Sequence, residues 1–263
     1  LSVGELLDRT FFFYRQHFLL FVAIAALPSL VMLAFSLLTT AMSPASGSVL
    51  LVLVSSLVTV FLYLITTALS QGATVAAVSQ ILLGRETTVA ECFSAIRSRF
   101  AELVILILNM GVRIVIGFLF FVVPGILLAL MYALTMPVAV LEGKGISESL
   151  SRSSQLTKGH RGRIFLIYFL LTVLVTIVTM LWSVPATVAV GLVYGPIRSE
   201  QIPIWVQAAF QLGNFLTRSL LSPILTIAVA LVYYDVRVRK EAFDLEHMLK
   251  QLTTSGLTPL PTA

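Results

Sequence analysis

The sequence predicts an all-α integral membrane protein: a bundle of about six transmembrane helices with short amphipathic interfacial helices and both termini in the cytosol. Three observations carry this. Apolar residues make up 58% of the chain and charged residues 11%, where a soluble domain carries about 25% charged. Apolar runs recur near the length that crosses the hydrocarbon core, about 20 residues. Basic residues gather on one side of those runs, as positive-inside topology requires.

We read one membrane domain over residues 1–263, with spans at 18–38, 49–70, 103–123, 126–141, 164–184 and 212–234 and a cytosolic tail over 235–263. The first run is longer than a signal-peptide core and follows an amphipathic stretch, so it is read as a retained span. Residues 71–83 are expected to prolong the second helix beyond the membrane. Pro124-Gly125 suits the central positions of a type II turn and predicts a tight hairpin between spans three and four. Pro223 predicts a kink in the sixth. Residues 185–211 are expected to be external, whether re-entrant or not. Gly191 and Gly195 there have the small-residue packing spacing.

All of the 17 basic residues except Arg113, Arg198 and Arg218 fall on the side that holds the N-terminal arm, the loops after spans two and four, and the tail. Residues 39–48 and the Pro-Gly turn are uncharged, and 185–211 holds only Arg198 and Glu200. The basic side is therefore assigned to the cytosol, and an even number of spans returns the chain there.

Ser2–Glu5 and Thr88–Glu91 match a capping box, and Gly145–Glu148 is a weaker version. Each opens an amphipathic stretch that leads into a pair of spans, which suggests a unit used three times. In the first stretch Leu6, Leu7, Phe11, Tyr14 and Phe18 form an apolar face. Such a helix either lies in the membrane interface or packs under the bundle.

Two arginines lie inside spans, Arg113 and Arg218, with no Asp or Glu in any span to pair with them. An arginine at the bilayer centre costs about 2.5–3.5 kcal/mol on insertion scales. Asn109 lies one turn before Arg113, and Gln207, Gln211, Asn214, Arg218 and Ser222 form one helical stripe. A cationic, acid-free lining suits a phosphate or carboxylate. The structural alternative is that the arginines snorkel and the amides hold helices together. Lys158, His160, Arg161 and Arg163 precede span five, as a headgroup contact or as ordinary anchoring. Glu142, Asp235 and Arg237 close spans four and six and are expected to form ion pairs with these basic groups.

Other chemistries find little support. Cys92 is the one cysteine, and His17, His160 and His247 are far apart, so no metal-ligand spacing occurs. No nucleophile elbow or phosphate-binding glycine loop is present, and no Lys/Arg stripe interleaved with exposed aromatics suggests nucleic acid. Neither cofactor nor metal is expected.

Val3-Gly4-Glu5-Leu6-Leu7-Asp8-Arg9-Thr10 with Tyr14-Arg15, Pro124-Gly125, Pro137 with Leu141-Glu142-Gly143, the run from Ser151 to Arg161, and Tyr233-Tyr234-Asp235-Val236-Arg237-Val238-Arg239-Lys240-Glu241 together form a pattern. It resembles bacterial multi-spanning proteins related to the glycerophosphoryl diester phosphodiesterase membrane domain, with YciC-like inner-membrane proteins as looser relatives. The resemblance implies a six-helix module of the bacterial cytoplasmic membrane, fused in some relatives to a soluble phosphodiesterase domain. His160-Arg161-Gly162 is similar to the start of that catalytic domain, but no Glu-x-Asp pair follows and the triplet runs into a span.

These readings predict a non-catalytic membrane module that binds or moves an anionic amphiphile. Asn109, Arg113, Gln211, Asn214 and Arg218 are its candidate polar lining, and Lys158, His160, Arg161 and Arg163 its candidate headgroup contact. The alternatives are a scaffold or regulatory subunit that holds a protein partner through its cytosolic helices, and a membrane-embedded hydrolase. The expected partners are membrane lipids.

Overall fold

The computed structural model describes residues 2–42, 49–195 and 202–254. They form ten helices: α1 Val3–Gln16, α2 Phe18–Ala41, α3 Val49–Leu82, α4 Val89–Arg97, α5 Phe100–Phe120, α6 Val122–Met131, α7 Thr135–Leu141, α8 Ile146–Thr157, α9 Arg161–Tyr194 and α10 Ile204–Thr254. Six stretches are long and apolar enough to cross a membrane, with α6 and α7 together making the fourth. A short helix followed by two spans recurs three times. Ser2 and Thr88 each form a full capping box, with Glu5 and Glu91, whereas Gly145 has no side chain to cap α8.

The core sits toward one end of the bundle. Along α3, residues 72–78 are all buried, and Gly72 lets Leu103 and Ile96 approach within 3.2 and 3.3 Å of where a Cβ would stand. Along α10, Ile224 and the residues from Ile227 to Tyr233 are buried on every side, the pattern of a helix enclosed by others. At its other end α3 exposes Val49 to Val54, as a surface facing lipid tails does. We call the end holding α1, α4, α8 and most ionic groups the charged end.

α1 and α8 are packed into the bundle rather than lying free on it. Leu6, Thr10 and Tyr14 face inward, and the Tyr14 hydroxyl donates to the Leu220 carbonyl at 2.6 Å. That carbonyl is one residue beyond Ser219, whose own carbonyl loses its helical donor to Pro223. Ser149, Ser153 and Thr157 place a fully buried hydroxyl stripe along α8.

One expectation is corrected, and the helices depart from the expected spans at three further places. Pro124 and Gly125 do not form the turn: the chain reverses at Phe121, which is extended, and both residues lie in the first turn of α6, where proline costs no hydrogen bond. Gly125 serves close packing instead, since a Cβ there would stand 2.4 Å from the Phe118 ring. Span four is two helices. Pro137 has no amide for the Ala133 carbonyl, which accepts from the Tyr168 hydroxyl at 3.3 Å. Ser153 accepts from the Leu134 amide at 3.2 Å and donates to the Met131 carbonyl at 2.8 Å. Residues 185–194 continue α9 up to Gly195, at φ +78°, and α10 already begins at Ile204. A Cβ on Gly191 would meet nothing within 4 Å among the described residues. The tail from 235 continues α10 as far as Thr254. Arg198, Glu200 and residues 43–48 and 255–263 lie outside the described residues.

Candidate functional site

Polar residues on α3 and α10 face each other across an open cleft of about 530 Å³, flanked by α2 and α9. From α3 come Tyr63, Thr66, Thr67, Ser70 and Gln71; from α10, Asn214, Thr217, Arg218, Ser222 and Thr226. Ser29 and Thr179 add hydroxyls, while Val175, Leu221 and Leu225 are its apolar lining. Both helices present this face through the i, i+4 and i+7 spacing of a helix. Apolar residues flank these faces within the two spans, and the polar faces turn toward one another.

Arg218 is the one ionic side chain among the cleft residues, and its guanidinium carbon lies 4.8 Å from the Tyr63 ring centroid. The aromatic face stabilises the cation without neutralising it. Five hydroxyls spend their protons on carbonyls of their own helices: Ser29 on Ala25, Thr66 on Tyr63, Thr179 on Val175, Thr217 on Gly213 and Thr226 on Ser222. What they offer the cleft is acceptor lone pairs. Donors come from Arg218, from the Gln71 and Asn214 amides and from the Tyr63, Thr67, Ser70 and Ser222 hydroxyls. Beside Asn214, α10 and α9 approach closely: a Cβ on Gly213 would stand 2.6 Å from the Trp182 ring.

The residues singled out from sequence separate into three places. Asn214 and Arg218 line the cleft. Gln211 lies beyond it and joins α10 to α2, donating to Thr40 at 2.5 Å and accepting from Ser36 at 2.9 Å. Asn109 and Arg113 are elsewhere, on α5, where Arg113 Nε donates to Asn109 Oδ1 at 2.8 Å and the arginine is exposed.

Lys158, His160, Arg161 and Arg163 gather at the turn from α8 to α9, beside the charged end of α10. Arg163 is held by Asp235 at 2.6 Å, and Arg239 reaches the same carboxylate at 3.1 Å. The Lys240 ammonium donates to the Gln155 carbonyl. Burial, then the nearby Lys240, Arg163 and Arg239, hold the His160 pKa below its ordinary value. Arg161 Nε is buried without a hydrogen-bond partner among the described residues, and Lys158 is exposed.

Next to it Glu142, its side chain only 8% exposed, accepts from Arg152 at 3.3 Å, Lys144 at 3.3 Å and the Tyr233 hydroxyl at 3.0 Å. Arg152 and Arg237 also reach Glu241, at 2.8 and 3.1 Å. Burial would raise the Glu142 pKa, but the donors Tyr233, Lys144 and Arg152 outweigh it and the net shift is downward. The expected pairing of the span ends with the basic groups is thus present.

Sequence reasoning missed the α3 wall. Its signal was available, because Tyr63, Thr67, Ser70 and Gln71 recur at helical spacing inside an apolar run. Among the described residues no cluster of His, Cys, Asp or Glu is arranged to hold a metal.

A family model described as the membrane domain of glycerophosphoryl diester phosphodiesterase matches residues 107–251. The match runs from the middle of α5 into α10. It includes the α10 wall of the cleft, the broken span and the ion-pair network, and it leaves out α1 to α4. No curated protein and no solved structure matches the chain.

Proposed function

The chain belongs to the family of the membrane domain of glycerophosphoryl diester phosphodiesterase, and from that premise we propose that it is a non-catalytic module that holds an anionic amphiphile in the α3–α10 cleft. The observation that carries the reading is Arg218: a cation on an aromatic face, in a polar cleft with no carboxylate. An anionic headgroup supplies the missing charge. The acceptor hydroxyls around it favour a headgroup that also bears donors, such as hydroxyls, and Leu221, Leu225 and Val175 suit the start of an acyl chain. The membrane is the bacterial inner membrane in this reading, with the charged end in the cytosol. Lys158 and the neighbouring cations face anionic headgroups there.

The test is native mass spectrometry of the protein extracted gently from its own membrane, wild type beside Arg218→Gln. Wild type is expected to retain an anionic lipid or metabolite that the variant loses by about tenfold or more, the size of a charge-assisted hydrogen bond. Equal retention in both would sink the proposal.

A second reading, support of a partner protein through the charged-end helices, draws on an open groove lined by Leu69, Phe93, Arg97 and Phe100 beside α4. A stoichiometric protein co-purifying in mild detergent, lost on Phe93→Asp, would favour it over the amphiphile.

A further inference from the structure

Among the described residues Arg113 lies outside the cleft and outside every ion pair. It belongs to α5, whose 21 residues match the hydrocarbon thickness at about 1.5 Å rise per residue. That rise puts it about 20 Å from the Phe100 end and about 10 Å from the Phe120 end. Its guanidinium does not reach for the nearer end. Nε donates backward, to Asn109 one turn deeper, so the charge is drawn toward the middle of the span. Around it α5 exposes Ile105, Val112 and Ile116, at 51%, 49% and 47%, so the cation borders a bare apolar helix face. Among the described residues no carboxylate accepts from Arg113, and the Asn109 amide is its hydrogen-bond partner.

A cation at this depth facing lipid tails is costly, and such residues pair with an opposite charge or line a wet path. A second copy of this chain does not supply the charge, because no Asp or Glu lies near the midpoint of any of its spans. A lipid phosphate sits at the surface rather than at this depth. We infer that the α5 face centred on Val112 and Arg113 is the docking surface for a transmembrane helix of another protein, one that carries an Asp or Glu near its midpoint. The apolar residues pack against that helix, and Arg113, oriented by Asn109, receives the carboxylate. This surface is independent of the amphiphile cleft.

The test reconstitutes the whole protein in phospholipid vesicles with a synthetic polyleucine transmembrane helix bearing one central Glu or one central Gln, and reads association by energy transfer. Wild type is expected to take the Glu helix about five- to thirty-fold more tightly than the Gln helix, the range of an interhelical polar contact. The preference disappears in Arg113→Gln and persists in Arg113→Lys. Arg113→Gln must still melt as wild type does, so that loss of the preference is not loss of the fold. No preference in wild type, or one that survives in Arg113→Gln, overturns the inference. In native membranes a photoreactive residue at position 112 supports it by crosslinking to a span that contains Asp or Glu. Crosslinks confined to lipid or to a second copy overturn it.

Discussion

At the charged end Arg152 reaches two carboxylates, Glu142 and Glu241, whereas Arg218 in the cleft reaches none among the described residues and rests against Tyr63. Both regions collect polar side chains from helices far apart in sequence, but only the first pairs its cations with carboxylates of its own. A paired network near water adds rigidity and ties α7, α8 and α10 together. A cleft with one unmatched cation among hydroxyls gains little stability from that cation, and the charge remains available to a ligand. The contrast separates side chains that hold the fold from those that serve a visitor.

The largest effect should come from the paired side. Glu142→Ala leaves Arg152, Lys144 and Tyr233 without their shared acceptor and is expected to lower stability by about 2–3 kcal/mol in detergent unfolding. Arg218→Gln in the same assay should stay within about 0.5 kcal/mol of wild type. If the two losses are equal, the contrast between the regions collapses.

Acid should distinguish the regions next. The folded-state pKa of Glu142 is lowered from 4.5, so its stabilisation is complete above that value and is lost as pH falls through the folded-state value. His160 is lowered from 6.5, so the folded state resists its protonation and stability begins to fall below that pH. A melting series should therefore show two acid phases. Glu142→Gln should shrink the lower, to which Asp235 with its lowered pKa also contributes, and leave the upper.

Smaller effects refine the comparison. Thr88→Ala removes the α4 cap and should cost about 1 kcal/mol, with ligand retention in the cleft unchanged. Tyr63→Leu removes the aromatic face beneath Arg218. It should weaken amphiphile retention by about two- to fivefold, read by native mass spectrometry, with little change in melting.

Much of this architecture is readable without coordinates because a membrane reduces the problem to length and polarity. Six apolar runs give six spans, and the Ser2 and Thr88 boxes cap the helices they announce. The polar stripe on α10 is likewise visible, since Asn214, Arg218 and Ser222 share a face by spacing alone. Its opposite wall is harder. Tyr63 and Gln71 meet α10 only because α3 and α10 pack side by side, a tertiary fact that no local pattern carries. Arg113 and Arg218 look equivalent as lone cations in spans, and only the packing puts one in a cleft and the other on an outer face. The Pro124-Gly125 pair misleads because proline and glycine fit a first helical turn as readily as a hairpin. The break in span four escapes notice because the groups that complete it, Ser153 and Tyr168, come from later helices.

That break also orders the assembly of the chain in time. The Met131 and Ala133 carbonyls and the Leu134 amide belong to span four, yet Ser153 and Tyr168 are synthesised after it. While α6 and α7 are the newest segments, these groups have no partner of their own and hydrocarbon offers none. Span four is therefore completed only by contacts from α8 and α9, which couples the second and third hairpins.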